Sequence, residues 1–100
     1  MKKTIALTHP KLTLDRLVDS IKHDVKKYIK RERNKQLPSD QDYWDFDCKY
    51  GTSESEAASI HLSEINKSID TAAKQELESF YLEILVKPAK RLIKDDPWSS

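Results

Sequence analysis

The residues with the clearest chemical potential form one basic run. Lys22, Lys26, Lys30 and Arg33 recur at i+4, i+4 and i+3, and His23, Lys27, Arg31 and Lys35 make an adjacent row. On a helix each row lies along one side, so this spacing aligns cations on a face. An aligned row of cations is what phosphate contact needs. Residues 22–35 hold seven Lys/Arg against two acids, whereas residues 40–56 hold six acids against Lys49 alone. The net charge of +1 conceals that separation. Lys22, Lys26, Lys27, Lys30, Arg31, Arg33 and Lys35 are therefore candidate nucleic-acid contacts, and an acidic protein is the other partner such a face would take. The same rows also read as a solvated helix face whose Lys and Arg suit a helix C-terminus.

A second constellation is Asp45, Asp47, His61 and Glu83. Carboxylates with an imidazole bind a divalent metal or do acid–base work. In a hairpin centred near Ser53-Glu54, Asp47 falls opposite His61 and Asp45 opposite Ser63, with Tyr81 and Glu83 on the same face. No tight ligand spacing such as H-E-x-x-H accompanies them, and the outer face of an antiparallel sheet is ordinarily polar. A third candidate is the loop His9-Pro10-Lys11 before a helix, where an anion would find cations and free amides. Its plainer reading is a turn that ends a strand. Cys48, between Phe46 and Tyr50, reads as a core thiol.

Other chemistries are excluded by composition. A single glycine, Gly51, cannot build a Gly-rich phosphate loop, and a single cysteine cannot build a disulfide within the chain or a multi-cysteine metal site. No cofactor motif is present. The opening Met1 to Leu7 resembles the start of a signal peptide, but Thr8, His9, Pro10 and Lys11 break the apolar run. No run is long enough to span a membrane. The expected address is the cytoplasm.

The elements that must position these residues follow from periodicity. The chain of 100 residues suits one domain, expected over 1–88, with 89–100 a disordered tail. Ile5 and Leu7 mark a strand near 3–8. Thr13 is placed to cap a helix running to about 35, whose apolar face is Leu14, Leu17, Val18, Ile21, Val25, Tyr28 and Ile29. No apolar residue between 30 and 36 holds its end to a core, so Lys30, Arg31, Arg33 and Lys35 are expected to overhang. Trp44, Phe46, Cys48 and Tyr50 alternate with polar residues in a strand near 43–50. Ala58, Ile60 and Leu62 do so near 57–62, and Phe80, Leu82, Ile84 and Val86 near 79–87. A short helix near 63–76, capped by Ser63, carries Ile65, Ile69, Ala72, Ala73 and Leu77.

The order β-α-β-β-α-β predicts an α+β, ferredoxin-like fold: a four-stranded antiparallel sheet in the order 4-1-3-2 with two helices on one face. RNA-recognition motifs of that topology carry aromatics on their open strand faces. Here those positions hold Thr4, Ala6, Thr8 and Ser59, His61, Ser63, which disfavours base stacking.

Four segments carry a resemblance: Ala6-Leu7-Thr8-His9-Pro10-Lys11, Tyr43-Trp44-Asp45-Phe46-Asp47-Cys48, His61-Leu62-Ser63-Glu64-Ile65-Asn66-Lys67 and Glu78-Ser79-Phe80-Tyr81-Leu82-Glu83. Together they resemble a family of small uncharacterised bacterial proteins of about this length, with no assigned activity. The resemblance implies a bacterial cytosolic protein and nothing about chemistry. The expected function is a non-enzymatic module that contacts RNA or a ribonucleoprotein through the first helix. The alternatives are a metal-binding or acid–base domain using Asp45, Asp47, His61 and Glu83, and a structural homodimer joined through an edge formed by the second strand.

Overall fold

A computed structural model describes residues 1–90. Strand β1 (Lys2–Ala6) leads to helix α1 (Leu14–Arg33), then strand β2 (Tyr43–Gly51). A 3-10 turn at Glu54–Glu56 precedes the short strand β3 (Ala58–Ile60). A second 3-10 turn at Leu62–Glu64 runs into helix α2 (Ile65–Lys74), and strand β4 (Ser79–Ala89) closes the order. The expected elements and their sequence are therefore present. The expectation for residues 91–100 lies outside the described residues.

The α+β class and the antiparallel sheet are as expected, but the strand order is β1-β4-β2-β3, not 4-1-3-2. The central pair is β4 and β2. The physical reason lies in the strands themselves. β4 is eleven residues long and puts Phe80, Leu82 and Ile84 on the core face, with Tyr81 buried on the other. A long strand buried on both faces belongs in the middle of a sheet. β1 is five residues long and carries Lys2 and Lys3, a composition that blunts a sheet edge. One strand still lies between the two of each β-α-β unit: β4 between β1 and β2, and β2 between β3 and β4. The expected edge role of the second strand is overturned, since β1 and β3 are the edges.

One apolar layer lies between the sheet and both helices. Val18, Ile21 and Val25 of α1 and Ile65, Ile69 and Ala72 of α2 pack with Phe46, Cys48, Phe80, Leu82 and Ile84. These are nearly the expected core positions, except that Trp44, Ile60 and Leu62 are only half-buried. Thr13 caps α1 as its type predicts, its Oγ1 accepting from the Arg16 N–H at 3.4 Å.

The hairpin register matches the spacing argument, because Cys48 pairs with Ile60 and Tyr50 with Ala58. The ladder stops there. His61 ends β3 by accepting the Ser63 N–H on Nδ1, so the chain turns into the 3-10 segment before Ser63 can face Asp45. β2 is thus left uncovered on that side over Tyr43–Asp47. There the Phe46 N–H donates to the Asp45 carboxylate at 2.8 Å in place of a ladder bond.

α1 ends at Arg33, two residues before the expected limit, and its last turn does not overhang freely. Arg33 lies with its guanidinium carbon 5.3 Å from the Phe46 ring centroid. The Trp44 indole N–H donates to the Lys35 carbonyl at 2.9 Å. Glu32, 8% exposed, receives the Lys35 ammonium at 2.6 Å. The aromatic residues of β2 supply the tether that the polar stretch after Ile29 does not.

Candidate functional site

The two helices pack antiparallel. The C-terminal half of α1 lies beside the start of α2, and its N-terminal half beside the end of α2. Two grooves follow this seam, and they differ in charge. Near the start of α1, Asp15, Asp19 and Asp70 line one groove with Lys22 and Lys74. Near its end, a groove of about 600 Å³ is lined by Lys22, Lys26, Lys30 and Arg33 with His23, and no carboxylate enters its wall among the described residues. The Lys22 ammonium meets the Asp70 carboxylate at 2.6 Å on the boundary between the two.

The row Lys22, Lys26, Lys30, Arg33 is the one read from the i+4, i+4, i+3 spacing. It is on the groove because Val25 and Ile29, one position before Lys26 and Lys30, turn into the helix–helix contact. The second row divides. His23 reaches the groove, whereas Lys27, Arg31 and Lys35 do not line it. Arg31 sits over the Tyr28 ring at 5.4 Å, and Lys35 is held by Glu32. Lys26, Lys30 and Arg33 have no acidic partner among the described residues.

Sequence reasoning missed the opposite wall, which is Leu62, Ser63, Ile65 and Asn66. Asn66 entered only within the segment His61-Leu62-Ser63-Glu64-Ile65-Asn66-Lys67 that carries the family resemblance. Nothing local to α2 signals that it faces α1, since that is a property of tertiary packing.

Asp45, Asp47, His61 and Glu83 share the lining of a larger groove, about 720 Å³, beside the uncovered half of β2. They are not gathered: among the described residues no three His, Cys, Asp or Glu side chains are placed to hold one metal ion. Each is occupied locally. Asp45 accepts from Phe46, Asp47 from Lys87 at 2.8 Å, and His61 bonds Ser63. Glu83 accepts the Tyr81 hydroxyl at 2.7 Å, and both residues are buried. That bond, followed by burial and the charges of Glu83 and Glu54, pushes the Tyr81 phenol up to about 12. Asp47 likewise raises the Lys87 ammonium, first through their hydrogen bond. Burial, with Asp47 and then Asp45 nearby, pushes the Cys48 thiol up to about 11. A thiol so raised stays protonated at neutral pH and is a poor nucleophile.

The loop His9-Pro10-Lys11 holds itself. His9 Nδ1 accepts the backbone N–H groups of Lys11 and Leu12 at 3.0 and 3.1 Å, so those two loop amides are already bonded. No helix among the described residues is long and apolar enough to cross a membrane.

The model of a family of unknown function (DUF6172) matches residues 1–95, nearly the whole chain. The chain belongs to that family. No curated protein and no solved structure matches it. Membership of DUF6172 brings no assigned activity, so chemistry rests on the grooves themselves.

Proposed function

We propose that this DUF6172 protein is a non-enzymatic binding module whose basic groove between α1 and α2 takes the phosphates of nucleic acid, RNA or a ribonucleoprotein. One observation carries the reading: in a chain with 17 acidic residues and a net charge of +1, the groove holds four cations and its described wall has no carboxylate. Chance mixing of charges would place acids there, as it does at the other end of the same seam. Three of the four cations lack an acidic partner among the described residues, so binding an anion would break no ion pair at Lys26, Lys30 or Arg33. Phosphates contacted this way fix position and carry no base information.

The test is a fluorescence titration of labelled RNA across salt. Three phosphate contacts give a slope of log K against log salt near −2, from about −0.7 per contact on a single strand. Replacing Lys26 and Lys30 together by Gln is expected to weaken binding of all sequences alike and to reduce that slope by about 1.4. Absence of binding at low salt, or a double variant indistinguishable from the wild type, removes the reading.

A further inference from the structure

We infer that the groove selects single-stranded over double-stranded nucleic acid and that Arg33 is its phosphate fork. This inference rests on the reading of the α1–α2 groove as a nucleic-acid site. It starts from the floor beneath the cations. Val25 and Ile65 are buried there, but Ile29 and Leu62 are only half-buried and present apolar surface into the groove. A purely electrostatic phosphate site gains nothing from exposed apolar carbon. An unpaired strand does, because its bases and sugars are free to cover that surface while its phosphates follow the rim.

Size points the same way. The furrow between the packed helices holds about 600 Å³, room for part of one strand. A duplex keeps its bases stacked inside and meets such a furrow only with its outer phosphates. It would engage Lys26 and Lys30 but leave Ile29 and Leu62 wet.

Arg33 stands where this groove meets the one beside β2, and it lines both. Its guanidinium is held over the Phe46 ring, yet it makes no hydrogen bond or ion pair among the described residues. Contact through the face of a guanidinium leaves its N–H donors unused. A fork held in place with free donors matches the two oxygens of a phosphate, and a lysine in that position supplies charge without the bidentate geometry. The polar groups of Asn34 on the α1 side and of Ser63 and Asn66 on the opposite wall offer hydrogen-bond partners to a strand lying between them.

Anisotropy titrations of the full chain with labelled oligouridine and with an RNA duplex of equal length test this at one low salt concentration. Oligouridine is expected to bind at least about tenfold tighter than the duplex. Arg33→Lys is expected to lose about tenfold on oligouridine, the worth of one charge-assisted hydrogen bond, and to lose less on the duplex, for which the retained charge suffices. The variants are compared at a temperature where circular dichroism shows wild-type helicity, and the strand-to-duplex ratio of the unaltered protein needs no variant at all. Equal affinity for strand and duplex overturns the inference. So does an Arg33→Lys variant that binds as the wild type while Lys26→Gln/Lys30→Gln is weakened, and in both cases the basic groove stands. If neither RNA binds, the groove reading and this inference fail together.

Discussion

Two residues show how backbone geometry is met in a chain with one glycine. At Gly51, a Cβ would come within 2.6 Å of the Ala57 Cα and 2.7 Å of the Ala57 nitrogen, so the hairpin turn closes on itself only without a side chain. At the end of α2 the chain also needs a left-handed residue, and there it uses Glu76, with φ of 57°. The Glu76 N–H bonds the Ala73 carbonyl at 3.1 Å and the Leu77 N–H bonds the Ala72 carbonyl at 3.2 Å. That pair of bonds is the Schellman ending, whose left-handed position favours glycine. Glu76→Gly relieves a Cβ penalty of about 1–2 kcal/mol, offset in part by the entropy of a freer unfolded chain. The expected outcome is a gain of about 0.5–1 kcal/mol in urea denaturation, with no gain for Glu76→Ala, which keeps the Cβ. Equal stability of all three chains would show that the left-handed turn carries no strain.

At the scale of elements, the alternation of Trp44, Phe46, Cys48 and Tyr50 and the helical spacing from Leu14 to Ile29 were legible, because they record which face of one element is buried. The order of strands was not, because it depends on how whole strands compete for the centre. Lys2 and Lys3 in β1, and Tyr81 and Leu85 on the second face of β4, carried that signal. The same second face yields a pH dependence. Glu83 lies across from Lys2 on one side and Lys49 on the other, and it accepts the Tyr81 hydroxyl beneath them. Tyr81 holds its proton to about pH 12 in the fold, against about 10 in an unfolded chain. A raised value means the neutral phenol is favoured by folding, so its contribution is complete below pH 10 and is lost as pH rises through 12. Tyr50, raised by burial, and Lys87, raised first by its hydrogen bond to Asp47, also favour their protonated forms in the fold. Tyr81→Phe is therefore expected to flatten, without abolishing, the fall in urea midpoint between pH 9 and pH 11.5. It should also lower the midpoint at every pH by leaving Glu83 without its donor, and an unchanged slope would reject the linkage.

At the scale of the molecule, the basic row of α1 and the acidic residues of β2 line different grooves that share Arg33. The basic row of α1 was readable as a row, yet the sequence did not show which of its cations would be spent on Asp70, Glu32 or the aromatic rings. The acidic block was likewise readable, but not its position: Asp45 and Asp47 line the groove that Arg33 shares with the basic one. On the proposed reading, a strand gripped by Arg33 approaches carboxylates at one end of its path. Asp47 is paired with Lys87 at 2.8 Å, whereas Asp45 faces Lys87 across the β2–β4 ladder without an ion-pair contact and accepts the Phe46 N–H. Two like charges about 10 Å apart in water repel by about 0.4 kcal/mol, roughly twofold in affinity. Asp45→Asn keeps an acceptor for the Phe46 N–H and removes the charge. It is expected to tighten binding of oligouridine about twofold at low salt, and the gain should vanish near 0.15 M salt, where screening acts over about 8 Å. A gain that persists at high salt would mark a direct contact at Asp45. Unchanged affinity at low salt would mean that the strand turns away from β2 and leaves the groove along α2.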